Sequence, residues 1–467
     1  MQKSLSLWNF FTIGFGAIIG TGWVLLVGDW MILGGGPIAA IVAFALGAVM
    51  LLPSGAVFGE LTSAIPISGG IVEYVDRSMG KIPSYITGWM LILGNVILCP
   101  WETIAISMLV SDMFGQMIPA INSVKLYTIM GADVYLIPTI ISLIVALFVI
   151  RINFNGAASV AKLQGFHTKA LLTGMCLAMV ISIIKGSPSN ALPLFSQVTG
   201  PGGLTTDVNG FVTGILAVIV ITPFFYVGFD TIPQQAEEAS ENLDWKKFGR
   251  IIGLSLMAAG AFYCICIYAF GTIIPWEEFI KSEVPALACL KSIGMYFYLP
   301  MLIIATLGPL GPMNSFYAAG ARIMLAMGRK ELLPSSFAKL DPKKGTPRTA
   351  NIVLAGLTLI GPFLGKNMLL PLINVSSLAF VFACMMVSIA CFRMRTTEPD
   401  LVRPYKVPGG RAGIMVAIIC GAFIIGLLVV PFSPAAMSWV EWVIALGWLG
   451  VGMLLMTVKK RSSVTKL

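Results

Sequence analysis

Four glycines, Gly14, Gly16, Gly20 and Gly22, crowd the stretch GFGAIIGTGW at residues 14–23, inside a run apolar enough to cross a membrane. Glycine is a weak helix former, so this density predicts a local unwinding. Unwound backbone at mid-membrane is tolerated only where it is buried or lines a cavity. A second interruption is written into TPFFYVGFDTIPQ, residues 222–234, by Pro223, Gly228 and Pro233. Paired breaks of this kind expose N–H groups at the start of one half-helix, which suit an anion, and carbonyls freed by unwinding, which suit an amine. The chemistry they imply is reversible, non-covalent capture of a zwitterion.

Two carboxylates sit in the same apolar context, where a charge is costly and counts as a functional candidate. Asp230 follows the second break and reads either as a gating or structural hydrogen-bond group or as a substrate contact. Glu102 lies near the middle of the third apolar run, with Asn95 and Cys99 on its helical face. Three roles are open to it: counter-ion to a cationic cargo, protonated acid bonded between helices, or proton carrier.

The elements that position these groups must be membrane helices. Hydrophobic residues make up 57% of the 467 and charged residues 11%, with a mean hydropathy of +0.90, beyond the range of a soluble globular chain. A span needs about 20 apolar residues. Twelve such stretches are expected, at 8–33, 37–65, 83–118, 133–151, 154–184, 207–236, 248–274, 293–327, 349–365, 369–393, 413–431 and 439–458. Lys3 precedes a long apolar run without a small-residue cleavage site, which reads as a first span and not as a removable signal. With both termini inside, the outer loops hold only Lys125, Lys185, Lys281, Lys291 and Lys366. Lys169 falls within a span, and the rest of the 30 Lys and Arg lie on the inner side. The net charge of +9 therefore reads as topology, and nucleic-acid binding is not expected.

Several function classes fall away. The eight cysteines, mostly within apolar runs, show no ligand spacing, and His167 is the single histidine, so neither a metal nor any other cofactor is expected. No hydrophilic segment is long enough for a separate soluble domain, and no G-x-x-x-x-G-K-S/T loop couples the chain to ATP. A channel would call for a repeated selectivity motif and a membrane enzyme for a nucleophile–base pair, and neither is found. A secondary transporter is the leading reading, and a channel, which currents that do not saturate with substrate would favour, is the first alternative.

Five motifs in order resemble the amino acid-polyamine-organocation permeases, which share a LeuT-like fold. GFGAIIGTGW is similar to the family's first-helix substrate motif and FFYVGFDTIPQQAEE to its sixth-helix motif. GELTSAIPISGGIVEY at 59–74 resembles the signature closing helix 2, with Glu60, Pro66, Ser68, Gly69, Gly70 and Tyr74 in step. RIMLAMGRKELLPSSFAKL from Arg322 and RPYKVPG from Arg403 resemble the inner end of helix 8 and the loop before helix 11. The resemblance implies an all-α, polytopic membrane protein with twelve helices and a 5+5 inverted repeat in which helices 1 and 6 are discontinuous. The repeats would occupy 1–200 and 201–400, with two peripheral helices and a cytoplasmic tail at 401–467.

The same resemblance assigns roles. N–H groups around Gly20, Thr21 and Gly22 would hold a carboxylate, and the Ile18 carbonyl would face the amine. Phe224 would gate the site, with backbone at Phe225 and Val227 completing it. Ser376 and Ser377 would contact the cavity or bond to their own helix. Tyr226 and Asp230 join the gating set. Sodium is disfavoured, because LGPLGPMNS places Asn314 and Ser315 about one turn past the paired hydroxyls of sodium-coupled relatives. Lys169 lies near the lysine that replaces the ion in proton-coupled ones, though snorkelling towards the inner face, more natural for Lys162, is the competing role. The expected protein is a plasma-membrane permease for an amino acid or related amine, coupled to protons or working by exchange. A cationic amine or polyamine permease using Glu102 is the alternative.

Overall fold

Glycine and proline set the boundaries of the first three helices. The computed structural model describes residues 5–67, 69–155, 169, 172–177, 179–236 and 239–464. Helix α1 (Leu7–Ile18) opens on a reciprocal cap, Ser6 Oγ accepting from the Asn9 N–H while Asn9 Oδ1 accepts from the Ser6 N–H. It ends where Ile19 turns extended, and α2 (Gly22–Gly34) departs at 56° to it. Gly35, at φ 68°, closes α2 in the left-handed conformation that glycine adopts without strain. Pro37 then starts α3 (Pro37–Ala64), where its missing N–H costs nothing.

The third span is continuous: α4 (Gly70–Met79) lies outside it, and α5 (Lys81–Val96), α6 (Leu98–Leu109) and a π-helical turn at Val110–Phe114 make one membrane-length rod. A hairpin of β1 (Lys125–Ile129) and β2 (Ala132–Tyr135) follows, turning at Met130 and Gly131, both at positive φ. Tyr127 donates to the Phe363 carbonyl at 2.7 Å and Asn367 to the Met130 carbonyl at 2.7 Å, so the hairpin is fastened to a distant loop. The fold is therefore helical but for this one sheet, and the expected span at 133–151 begins instead at α7 (Leu136–Asn155).

The sixth apolar stretch is divided into α8 (Phe211–Ile219), α9 (Thr222–Tyr226) and α10 (Thr231–Gln234). Beyond it come α11 (Phe248–Ile273), α12 (Met295–Leu307), α13 (Leu310–Arg329), α14 (Arg348–Ile360), α15 (Leu369–Thr397), α16 (Arg411–Val429) and α17 (Trp439–Val464). Among the described residues, eight helices are long and apolar enough to span, or nine with the bent α1–α2 pair. The other expected spans are represented by shorter pieces: residues 172–185, the three segments of 211–234, and Arg348–Phe363. Lys162 and His167 lie outside the described residues.

Small residues let the helices approach. Gly59 of α3 stands directly against Gly249 of α11, and a Cβ on Gly260 would come within 2.7 Å of the Ala48 methyl. In a membrane, where lipid is as apolar as leucine, such close backbone packing is what holds helices together. At one end of the bundle, fully buried Glu60 accepts from Arg395 Nε at 3.0 Å and from the Val407 N–H at 2.7 Å. Arg403 also pairs with it, at 3.4 Å.

Candidate functional site

Helix spacing fails between Ile18 and Gly22, and hydrogen bonding fails with it. The N–H groups of Gly20, Thr21, Gly22 and Trp23 donate to no described residue, while Val24 donates back to the Thr21 carbonyl at 2.9 Å. These are the orphan donors expected at the start of a helix, here α2. Space explains the glycines. A Cβ on Gly20 would approach Pro312 Cγ to 3.0 Å, and one on Gly22 would approach Phe225 Cε1 to 2.7 Å.

The second break passes against the first. Gly228, at φ 128°, would bring a Cβ to 2.7 Å from the Ile18 nitrogen and 2.8 Å from the Ala17 carbonyl carbon, so both conformation and proximity require glycine. Ser377 Oγ accepts from the Phe224 N–H at 3.2 Å, fixing α9 to α15. Asp230 is buried and closes the lower part of the break: Oδ1 accepts from the Gly228 N–H at 3.1 Å and Oδ2 from Gln234 Nε2 at 3.1 Å. The carbonyls of Phe225 and Val227 accept no hydrogen bond from a described residue.

Where the breaks meet lies a narrow cavity of about 20 Å3, room for about one water in this closed arrangement. Ile18, Gly20, Gly22, Glu102, Phe224, Phe225 and Val227 all border it. Glu102, 2% exposed, accepts from Thr21 Oγ1 at 3.3 Å, and among the described residues no basic side chain pairs with it. One face of the third span therefore serves both breaks. Glu102 reaches the first, Asn95 approaches Asp230 at 3.5 Å beside the second, and Cys99 Sγ lies 3.7 Å from the Met313 carbonyl between them.

Other expected residues lie elsewhere. Thr21 turns its hydroxyl to Glu102. Ser376 donates to the Gly94 carbonyl at 2.7 Å, so the paired serines bond to neighbouring spans, neither facing the cavity nor capping their own helix. Tyr226 donates to the Phe44 carbonyl at 2.8 Å and anchors α9 to α3. The Ile18 carbonyl already accepts from Tyr263 at 3.2 Å, leaving one lone pair for a ligand. Lys169 is exposed on an apolar groove against α12, shared with Thr173, Leu177 and Ile304, and does not border the cavity. Asn153 donates to Asn314 at 2.9 Å, which ties α7 to α13. Trp101, Tyr263, Pro312 and Phe316 complete the walls without having been expected there. Trp101 alone had a signal, its position next to Glu102.

A helical membrane bundle whose interrupted helices meet around a largely apolar cavity holding a buried carboxylate has the build of a carrier. The family model for amino acid permeases matches residues 5–454, and the chain belongs to that family, within the amino acid-polyamine-organocation superfamily. It is a secondary transporter and not an enzyme. The branched-chain amino acid permease of Bacillus subtilis (strain 168) is 24% identical over 97% of this chain and 92% of its own. The aspartate-proton symporter of the same organism is 27% identical over 91% of this chain and 79% of its own. Cationic amino acid transporter 7, chloroplastic, of Arabidopsis thaliana is 26% identical over 82% of this chain and 64% of its own.

Proposed function

We propose that this permease binds an amino acid at the junction of its two broken helices. The amides of Gly20, Thr21 and Gly22 take the carboxylate, at the positive end of α2. The amine turns to the free carbonyls of Phe225 and Val227, the open lone pair on Ile18 and the carboxylate of Glu102. The observation that carries this reading is the set of unpaired amides beside a cavity carboxylate that bonds to Thr21 and has no basic partner among the described residues. Phe224, 4% exposed with its ring 5.4 Å from that of Trp101, closes the cavity as a gating aromatic. Ser376, Ser377, Tyr226 and Asp230 hold the backbone that the substrate reads.

The finer architecture belongs to the same proposal: twelve spans, with the bent and shorter pieces counted among them, and inverted repeats at 1–200 and 201–400 followed by 401–467. The chain lies in the plasma membrane with both termini cytoplasmic, which the distribution of Lys and Arg supports. Coupling is to protons. The aspartate-proton symporter among the relatives supports that mode, and Glu102 and Lys169 are the candidate carriers, Glu102 being the one at the cavity. A cationic substrate is the second reading, favoured by the absence of any described basic partner for Glu102 and by the cationic transporter among the relatives.

Thermal stabilisation of the purified protein by a panel of amino acids and amines identifies the ligand, because a molecule that binds only the folded state raises its stability by mass action. Uptake into liposomes then follows, with imposed proton or sodium gradients, for wild type and Lys169→Ala. Ligand-specific stabilisation and proton-driven uptake are expected. A sodium requirement overturns the coupling. A panel without a single hit among amino acids overturns the substrate class.

A further inference from the structure

Trp101 is 1% exposed, and its indole nitrogen is buried without an acceptor among the described residues. A buried donor left unmet is costly, and a site whose donors are unmet when empty is completed by the ligand that meets them. Trp23 and Trp30 carry unpaired indole nitrogens as well, yet neither borders the cavity, so no cargo there reaches them. Trp101 does border it, and its Cη2 would lie 3.7 Å from a Cβ on Gly22. The indole thus flanks the same turn whose backbone amides are unpaired. An ionised carboxylate accepts in about four directions, more than one turn of amides fills, and an indole donates without being able to accept.

We propose that Trp101 is a specificity-determining residue whose Nε1–H donates to the carboxylate of the transported amino acid. This rests on the cavity being the amino acid site. Trp101 and Glu102 then form an adjacent pair on α6, one residue reading the carboxylate and the next the amine, and the pair selects for cargo that carries both groups close together.

The test compares full-length wild type with Trp101→Phe and with a variant carrying benzothienylalanine at position 101, which keeps the bicyclic shape and replaces N–H by sulfur. Binding of L-alanine, L-leucine, L-lysine and L-aspartate is measured on the purified proteins. Every amino acid that the wild type binds is expected to bind at least tenfold more weakly to both variants, by a similar factor whatever its side chain. Unchanged affinity overturns the assignment. So does a loss with phenylalanine that the benzothienyl side chain restores, since that marks a packing role, or a loss confined to particular amino acid side chains. If the wild type binds none of the four, the cavity reading itself fails, a result separate from any effect of the variants.

Discussion

Glu102 owes its place to a single neighbour of suitable chemistry, the Thr21 hydroxyl, and to walls that otherwise offer it nothing positive. Glu102→Gln keeps the shape and the bond to Thr21 while removing the charge. If the carboxylate faces the cargo amine, affinity for a cationic substrate falls by about tenfold or more, or roughly 1.4 kcal/mol. Equilibrium binding on the purified variant measures this, and an unchanged affinity and pH dependence would make Glu102 a structural group. Gly22→Val tests the opposite wall. The new side chain must displace the Phe225 ring, which stands 2.7 Å from where its Cβ would be, so insertion is expected to survive and uptake to be lost. Wild-type uptake in that variant sinks the site. The glycines and the carboxylate were legible in the sequence because each violates the rule for an apolar helix. Tyr263 and Phe316 were not, because an aromatic residue in a membrane helix is ordinary and only the fold turns it to a cavity.

At the scale of elements, the broken sixth span is held by side chains and not by its own ladder. Asp230 bonds to Gly228 and Gln234 within the break and faces Asn95 across it, so Asp230→Ala removes the acceptor from all three at once. A buried donor left unsatisfied costs about 1–3 kcal/mol. The variant is therefore expected to melt at a lower temperature and to lose transport even where it inserts. A detergent melting curve indistinguishable from wild type would show that the break holds without it. The interruptions themselves could be read from Pro223, Gly228 and Pro233. The hairpin at 125–135 could not: its strands are short, β1 is largely exposed, and the turn uses Met130 at positive φ where asparagine or glycine would have given a signal. The paired serines were legible as polar residues in a span, but their partners, Gly94 and Phe224, lie 282 and 153 residues away in the chain.

Across the whole molecule, the spans were the easiest feature to read, because length and hydropathy fix them without knowledge of packing. Position relative to the site was harder, and Lys169 shows why: depth along a helix follows from residue number, whereas the direction a side chain faces follows from neighbours that the sequence does not name. One end of the bundle joins distant parts of the chain through Glu60, which is fully buried against Arg395, Arg403 and the Val407 N–H. Removing one member of a buried charge cluster leaves the others uncompensated, at about 3–5 kcal/mol. Glu60→Ala should therefore destabilise the protein severely and Glu60→Gln, which preserves hydrogen bonding, distinctly less. Equal melting temperatures for the two variants would show that the preserved hydrogen bonding is not what matters there and that the lost charge is.

At the periphery, Trp448 of α17 stacks on Trp89 of α5 with ring centroids 4.4 Å apart and planes inclined by 14°, and each indole donates to the other residue's carbonyl, at 2.8 and 3.0 Å. Two chromophores held this close share their excited states, so the pair acts as a built-in optical label. Its exciton couplet in the near-ultraviolet circular dichroism should report, without any added dye, whether the last helix is seated. Trp448→Phe is expected to erase the couplet, and a spectrum that keeps it would place its origin in another aromatic pair.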